Sequence, residues 1–204
     1  ILPDSTKPPA TLPQLRYYRA LPPSPSGITP RIPCDKQSRT KTMLSLIYSL
    51  VRNLRFGAYG SRIRCVLLRR MGVKIGSNTF IGPNITIVHP EYLTIGNNVS
   101  IHQDCYIDAI GKVVIGNDIS IAHQVSILSF NHKFGNPSMP IRNQGIETKE
   151  ITIDDDVWIG CKAVLLPGTH LKSRTVVAAM ALCNKEYSGN EIIGGIPAHH
   201  IKEI

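Results

Sequence analysis

A six-residue beat constrains this chain more than any other feature. Aliphatic side chains fall at Ile75, Ile81 and Ile87, then at Ile95, Ile101 and Ile107, then at Ile115, Ile121 and Ile127. Each triplet steps by six and six and the next begins eight later, so the unit is twenty residues long. After an interruption the beat resumes at Ile153, Ile159, Leu165, Leu171 and Val177, with Cys183 in the following slot. Glycine often follows the aliphatic residue, as at Gly76, Gly82, Gly96, Gly116 and Gly160. A period of six matches neither the 3.6 of a helix nor the alternation of a hairpin. It predicts short strands joined by tight corners, each stacking one aliphatic side chain inward: an all-β solenoid.

The interruption is a polar stretch containing Pro and Gly, 128–152, with Asn131-His132 near its start. Rungs that support one another have no structural use for such a loop. It is therefore the first place to look for function.

The segments before the repeat differ from it in kind. Residues 1–42 hold nine of the fifteen prolines and no apolar periodicity, which predicts a disordered tail, either native or an extension ahead of a start at Met43. From Met43 to residue 72 the spacing of Leu44, Ile47, Leu50, Val51 and Leu54 predicts amphipathic helix, broken at Gly57–Gly60 and resumed over Arg62–Arg70. Between Lys36 and Pro90 there are ten Lys or Arg and no Asp or Glu, so much of the net charge of +9 is local. Two expectations follow for this basic helical segment: a cap over the first open rung, or peripheral contact with an anionic membrane surface. The segment offers few aromatic platforms and no nucleic-acid motif, so a nucleic-acid partner is not expected. Five cysteines without a CxxC pair argue against a zinc ribbon or a disulfide framework and point to a reducing, cytoplasmic setting.

The repeat, together with Val157-Trp158-Ile159-Gly160, Leu166-Pro167-Gly168 and the closing Gly194-Gly195-Ile196-Pro197-Ala198, resembles the hexapeptide-repeat acyltransferases, and within them the sugar O-acetyltransferases. The resemblance spans residues 73–204. It implies a left-handed parallel β-helix, a homotrimer with active sites between subunits, and acetyl-CoA as co-substrate. It places the catalytic general base at His132, with no metal. Trp158, Cys161, Ala179, Asn184 and Lys185 match positions along the donor groove. The Pro197 segment reads as a short C-terminal helix with Pro in its first turn, whose His199 and Lys202 stand where the family binds the CoA phosphates. On the acceptor side Asn131 and His102 are the candidates for a sugar hydroxyl, and Glu147 or Glu150 for orienting His132.

Several positions depart from the pattern. His199 replaces a more strongly phosphate-binding cation, and Met180 replaces a usual Gly. His102 and Ile110 replace an Asn and an acidic residue of the galactoside and maltose enzymes. The loop is closer to those of polysaccharide-biosynthesis enzymes, so the expected acceptor is a nucleotide-linked or lipid-linked sugar. Two alternatives remain at this stage. One is a scaffold that has kept the rungs and lost the chemistry. The other is a zinc enzyme like the γ-class carbonic anhydrases, suggested by Ala122-His123 but lacking a second histidine at Leu128.

Overall fold

The computed structural model describes residues 36–204, with side chains from Met43 onward. The chain forms a left-handed parallel β-helix of about six coils with two helices at its N-terminal end. The expected disordered tail lies outside the described residues as far as residue 35. Its expected end at residue 42 is corrected, because helix α1 (Lys36–Val51) is already under way at Lys36. No proline follows Pro33 until Pro83, so nothing in that stretch stops the helix from starting early.

Three parallel sheets form the faces of a triangular prism. The first face takes Ile75, Ile95, Ile115, Ile153 and Leu171, each in register with the next. The second takes Ile81, Ile101, Ile121, Ile159 and Val177. The third takes Ile87, Ile107, Ile127, Leu165 and Cys183. The six-residue beat is thus one step from face to face, and its side chains fill the prism interior. Truncating one of the fully buried isoleucines to Ala costs about 2–5 kcal/mol in such a packed site.

Corners are made by residues that tolerate left-handed backbone. Asn78, Asn98 and Asp118 have φ of 49°, 55° and 57° along the edge between the first and second faces, a region that Asn and Asp enter more cheaply than other non-glycine residues. Beside them runs a side-chain ladder. The Oδ1 atoms of Asn97, Asn117 and Asp155 accept the amides of Ser77, Asn97 and Asn117 at 2.8, 2.9 and 2.7 Å. At the second edge Gly160 is required by close approach, since a Cβ there would lie 2.6 Å from the amide nitrogen of Ala179 on the next coil.

Among the described residues no coil precedes coil 1, so its backbone groups need other partners. Helix α2 (Gly57–Arg70) lies over this opening with α1 beside it. Ser61 Oγ accepts the Ile81 amide at 2.8 Å, and Arg64 Nε donates to the Ile81 carbonyl at 3.0 Å. Tyr48 Oη donates to the Ile85 carbonyl at 3.0 Å, and Arg69 Nη2 to that of Gly76 at 2.8 Å. The two helices are therefore a roof. Not all of the basic side chains of this segment are free for an outside partner: Arg64 is buried, Arg52 reaches Thr86, and Arg69 binds carbonyls of the first rung.

The other end closes differently from expectation. Residues 198–203 are not a helix but a strand (Ala198–Glu203), antiparallel to the last strand of the second face (Glu191–Gly195). Gly195, at φ 98°, turns the chain back, and the strand then spends its amides on an edge that would otherwise be open.

Candidate active site

The interruption is an ordered arm rather than an irregular loop. It leaves the third face after Leu128, returns to the first face at Ile151, and so stands on the third edge of the prism. Its base is fastened by Ser129, which is wholly buried. Ser129 Oγ donates to the Asp108 carbonyl and accepts the Gly111 amide, both at 2.8 Å, and its carbonyl accepts the Lys149 amide. Above it, Phe130–His132 pairs antiparallel with Ile146–Thr148, with Phe130 opposite Thr148, Asn131 opposite Glu147 and His132 opposite Ile146. The tip is closed by Gln144, whose Nε2 donates to the carbonyls of Asn136 and Met139 at 2.8 Å while its Oε1 accepts the Asn136 amide at 3.0 Å.

His132 is exposed and forms one wall of a concavity of about 720 Å³ lined also by Phe134, Met139, Gln144 and Glu147. Its ring stands edge-on to Phe130 at 6.3 Å. Of the two carboxylates considered as its orienting partner, Glu150 is engaged at the arm's base by Lys112 Nζ at 2.9 Å. Glu147 lines the same concavity but lies across from Asn131, not from His132.

The expected donor residues fall into two groups. Trp158 is outward on the second face, in register with Ser120 and Val176, and borders a second concavity of about 470 Å³. Cys161 and Ala179 sit at the adjoining second edge, where the Met180 amide donates to the Cys161 carbonyl at 2.9 Å. His199 and Lys202 are three apart, which on a regular strand would put them on opposite faces. A register shift between Ile192 and Ile193 sets His199 opposite Gly194 and Lys202 opposite Ile192, so both look outward on the second face with Trp158.

Asn184 and Lys185 belong elsewhere. They form the third edge between Leu182–Cys183 and Glu186–Tyr187, on the same edge as the arm but roughly 10 Å further along it, at about 4.8 Å per coil. Lys185 Nζ lies 5.7 Å from the centre of the Tyr187 ring. His102 sits at the second edge, its ring 6.2 Å from Phe80, and therefore not with Asn131 and His132. Within one chain, then, the third edge carries His132, Asn131, Asn184 and Lys185. The second face and edge carry Trp158, Cys161, Ala179, His102, His199 and Lys202. A prism side of about six residues separates the two edges by roughly 20 Å.

The buried cysteines supply no nucleophile. Burial raises the Cys65 thiol above its ordinary value, the Cys105 thiol to about 11 and the Cys183 thiol to about 12, so none is a thiolate near neutral pH. Met180 occupies a left-handed corner, φ 63°, and is largely exposed. That conformation is the physical reason a glycine suits the place. Ser129 and Gln144, which build the arm, are absent from the residues the sequence singled out. Their only signal was membership in the interruption.

No family model matches the chain. A Dictyostelium discoideum protein named as an acetyltransferase is 32% identical over 131 residues, covering 63% of this chain and 67% of the relative. The Escherichia coli protein WcaF, named for an acetyltransferase of colanic acid biosynthesis, is 28% identical over 142 residues, 70% of this chain and 75% of its own length. Among solved structures, a hexapeptide-repeat acetyltransferase of Vibrio cholerae, complexed with acetyl coenzyme A, superposes with a TM-score of 0.70 at 21% identity. It covers 83% of this chain and 90% of that one. A twenty-residue coil, an arm at the third edge bearing a histidine, and relatives of this kind lead to one conclusion: the chain belongs to the hexapeptide-repeat acyltransferases.

Proposed function

We propose that the protein transfers an acetyl group from acetyl-CoA to a hydroxyl of a sugar, with His132 as general base. The imidazole accepts the hydroxyl proton as the sugar oxygen attacks the thioester carbonyl. The new C–O bond replaces the C–S bond, and the departing CoA sulfur takes up the proton. A base on a rigid arm, at the wall of a concavity and open to solvent, suits this role. That placement of His132 is the observation that carries the proposal. The donor lies along Trp158, Cys161 and Ala179, with Asn184 and Lys185 toward its nucleotide end and His199 and Lys202 toward its phosphates. Asn131 and His102 hold the acceptor.

The division of these residues between two edges supports a site made by two copies. The third edge of one chain faces the second edge of the next, a heterologous contact that closes as a ring, in this family a homotrimer. The name of WcaF favours a surface-polysaccharide pathway, and the likeness of the loop to those of polysaccharide-biosynthesis enzymes favours a nucleotide-linked or lipid-linked sugar as acceptor.

Thiol release from acetyl-CoA across a panel of free and nucleotide-linked sugars tests the reaction. Acceptor-dependent release by the wild type, reduced by about 10²–10⁴ in His132→Ala, is expected. Trp158 is the only tryptophan, so quenching of its emission by CoA reports donor binding independently. A wild type that neither quenches nor releases thiol would overturn the enzyme reading. Full activity in His132→Ala would overturn only the choice of base.

A further inference from the structure

Helix α2 buries Ser61, Arg64, Cys65, Leu67 and Leu68 against the first coil, and α1 turns Tyr48 toward it. For a surface helix the opposite face should then be polar. Here it is not. On α1, Leu50 is 71% exposed, Leu46 62% and Met43 56%. On the turn and α2, Tyr59 is 73% exposed and Phe56 62%, followed along the same helix by the exposed Ile63 and Val66. These side chains do nothing for the core, which the inner faces already complete, and exposed apolar surface on this scale marks an interaction site.

The charge around this surface says which kind. Of the basic residues on the roof, Arg52, Arg64 and Arg69 are spent on carbonyls and a hydroxyl of the first coil. Arg55, Arg62 and Arg70 remain exposed beside the apolar side chains, in a stretch from Lys36 to Pro90 without a single carboxylate. Arg62 also lies 5.8 Å from the centre of the Tyr59 ring. Among the described residues no helix is long and apolar enough to cross a membrane. An apolar face with aromatic residues and exposed arginines beside it, on helices too short to span, fits a helix pair lying in the plane of a bilayer interface. We propose that the outer face of this roof docks on an anionic lipid surface. The apolar side chains enter the acyl boundary and the three arginines meet headgroup phosphates, which holds the solenoid end-on to the membrane. This inference is independent of the reaction proposed above.

Co-sedimentation of the full chain with vesicles tests it, using phosphatidylcholine alone and phosphatidylcholine with phosphatidylglycerol. Binding to the anionic vesicles is expected, weakened by raised salt and reduced by at least about tenfold in Arg55→Glu/Arg62→Glu and in Leu46→Glu/Leu50→Glu. Far-ultraviolet circular dichroism and CoA quenching of Trp158 should be unchanged in both variants, which shows that the fold persists. Wild-type protein that stays in the supernatant with both vesicle types would sink the proposal. So would vesicle binding indifferent to the leucine substitutions. If the leucine variant instead changes the sedimentation coefficient of the vesicle-free protein while no vesicle is bound, the face is a contact between copies and the lipid assignment is wrong.

Discussion

The Nε of Arg64 donates to the carbonyl of Ile81 at 3.0 Å, and Ser61, one turn earlier on the same helix, accepts the amide of that same residue at 2.8 Å. The first coil thus receives from α2 what every later coil receives from its predecessor. Arg64 also donates to the Leu54 carbonyl at 2.8 Å. Arg64→Met should therefore strand the buried Ile81 carbonyl and the part-buried Leu54 carbonyl and cost about 2–4 kcal/mol. Arg62→Met, on the exposed side, should stay within about 0.5 kcal/mol. Urea denaturation of the two variants checks the contrast.

If the site lies between copies, two inactive variants should rescue each other. His132→Ala damages the third edge and Ala179→Trp blocks the second. Equal amounts unfolded and refolded together should recover about a quarter of wild-type activity, the fraction of interfaces that pair two intact edges in a randomly mixed ring. Recovery near zero would mean that each chain carries a whole site.

Met180→Gly should relieve the left-handed corner, by about 1 kcal/mol before the entropy cost of glycine is counted against it. The melting temperature should hold or rise slightly. The KM for acetyl-CoA should fall, since the exposed side chain stands at the edge assigned to the donor. An unchanged KM would remove Met180 from the donor path.

Stability should also fail at high pH in a defined window. Burial pushes the Tyr48 and Tyr187 hydroxyls up from 10.0 to about 12. Their folded-state values exceed the unfolded one, so the stability they reflect is whole below pH 10 and is lost as pH climbs toward 12. Tyrosinate absorbance followed alongside circular dichroism should show these two phenols, of seven in the chain, ionising only as the fold is lost.

The rungs were legible because one aliphatic residue per face is a demand the fold makes at every step, and Ile101 or Ile121 has no other use. The corners were half-legible: Asn98 and Asp118 announce left-handed backbone, whereas Met180 adopts it without announcing it. Three features were not readable because they depend on partners distant in sequence. The inward turn of Arg64 is settled by a carbonyl seventeen residues away, and a run of arginines on a helix looks the same whether it faces water or backbone. Ser129 fastens the arm through Asp108 and Gly111, contacts that exist only once the coils are stacked. The segment after Pro197 has helical credentials locally, and becomes a strand because Glu191–Gly195 offers it an edge. The division of the site residues between two edges follows from counting coils, but only after the arm is assigned to the third.

The reversal at Gly195 bears on how such a molecule changes size. Any inner coil presents the same parallel edge above and below, so a whole coil can be duplicated or deleted there and the stack re-closes. The ends are not interchangeable in this way. At one, arginines take the place of a missing coil; at the other, an antiparallel strand refuses the next one. Length in this protein is a property of its two terminators, and a lineage that shortens or extends the prism must do so from within.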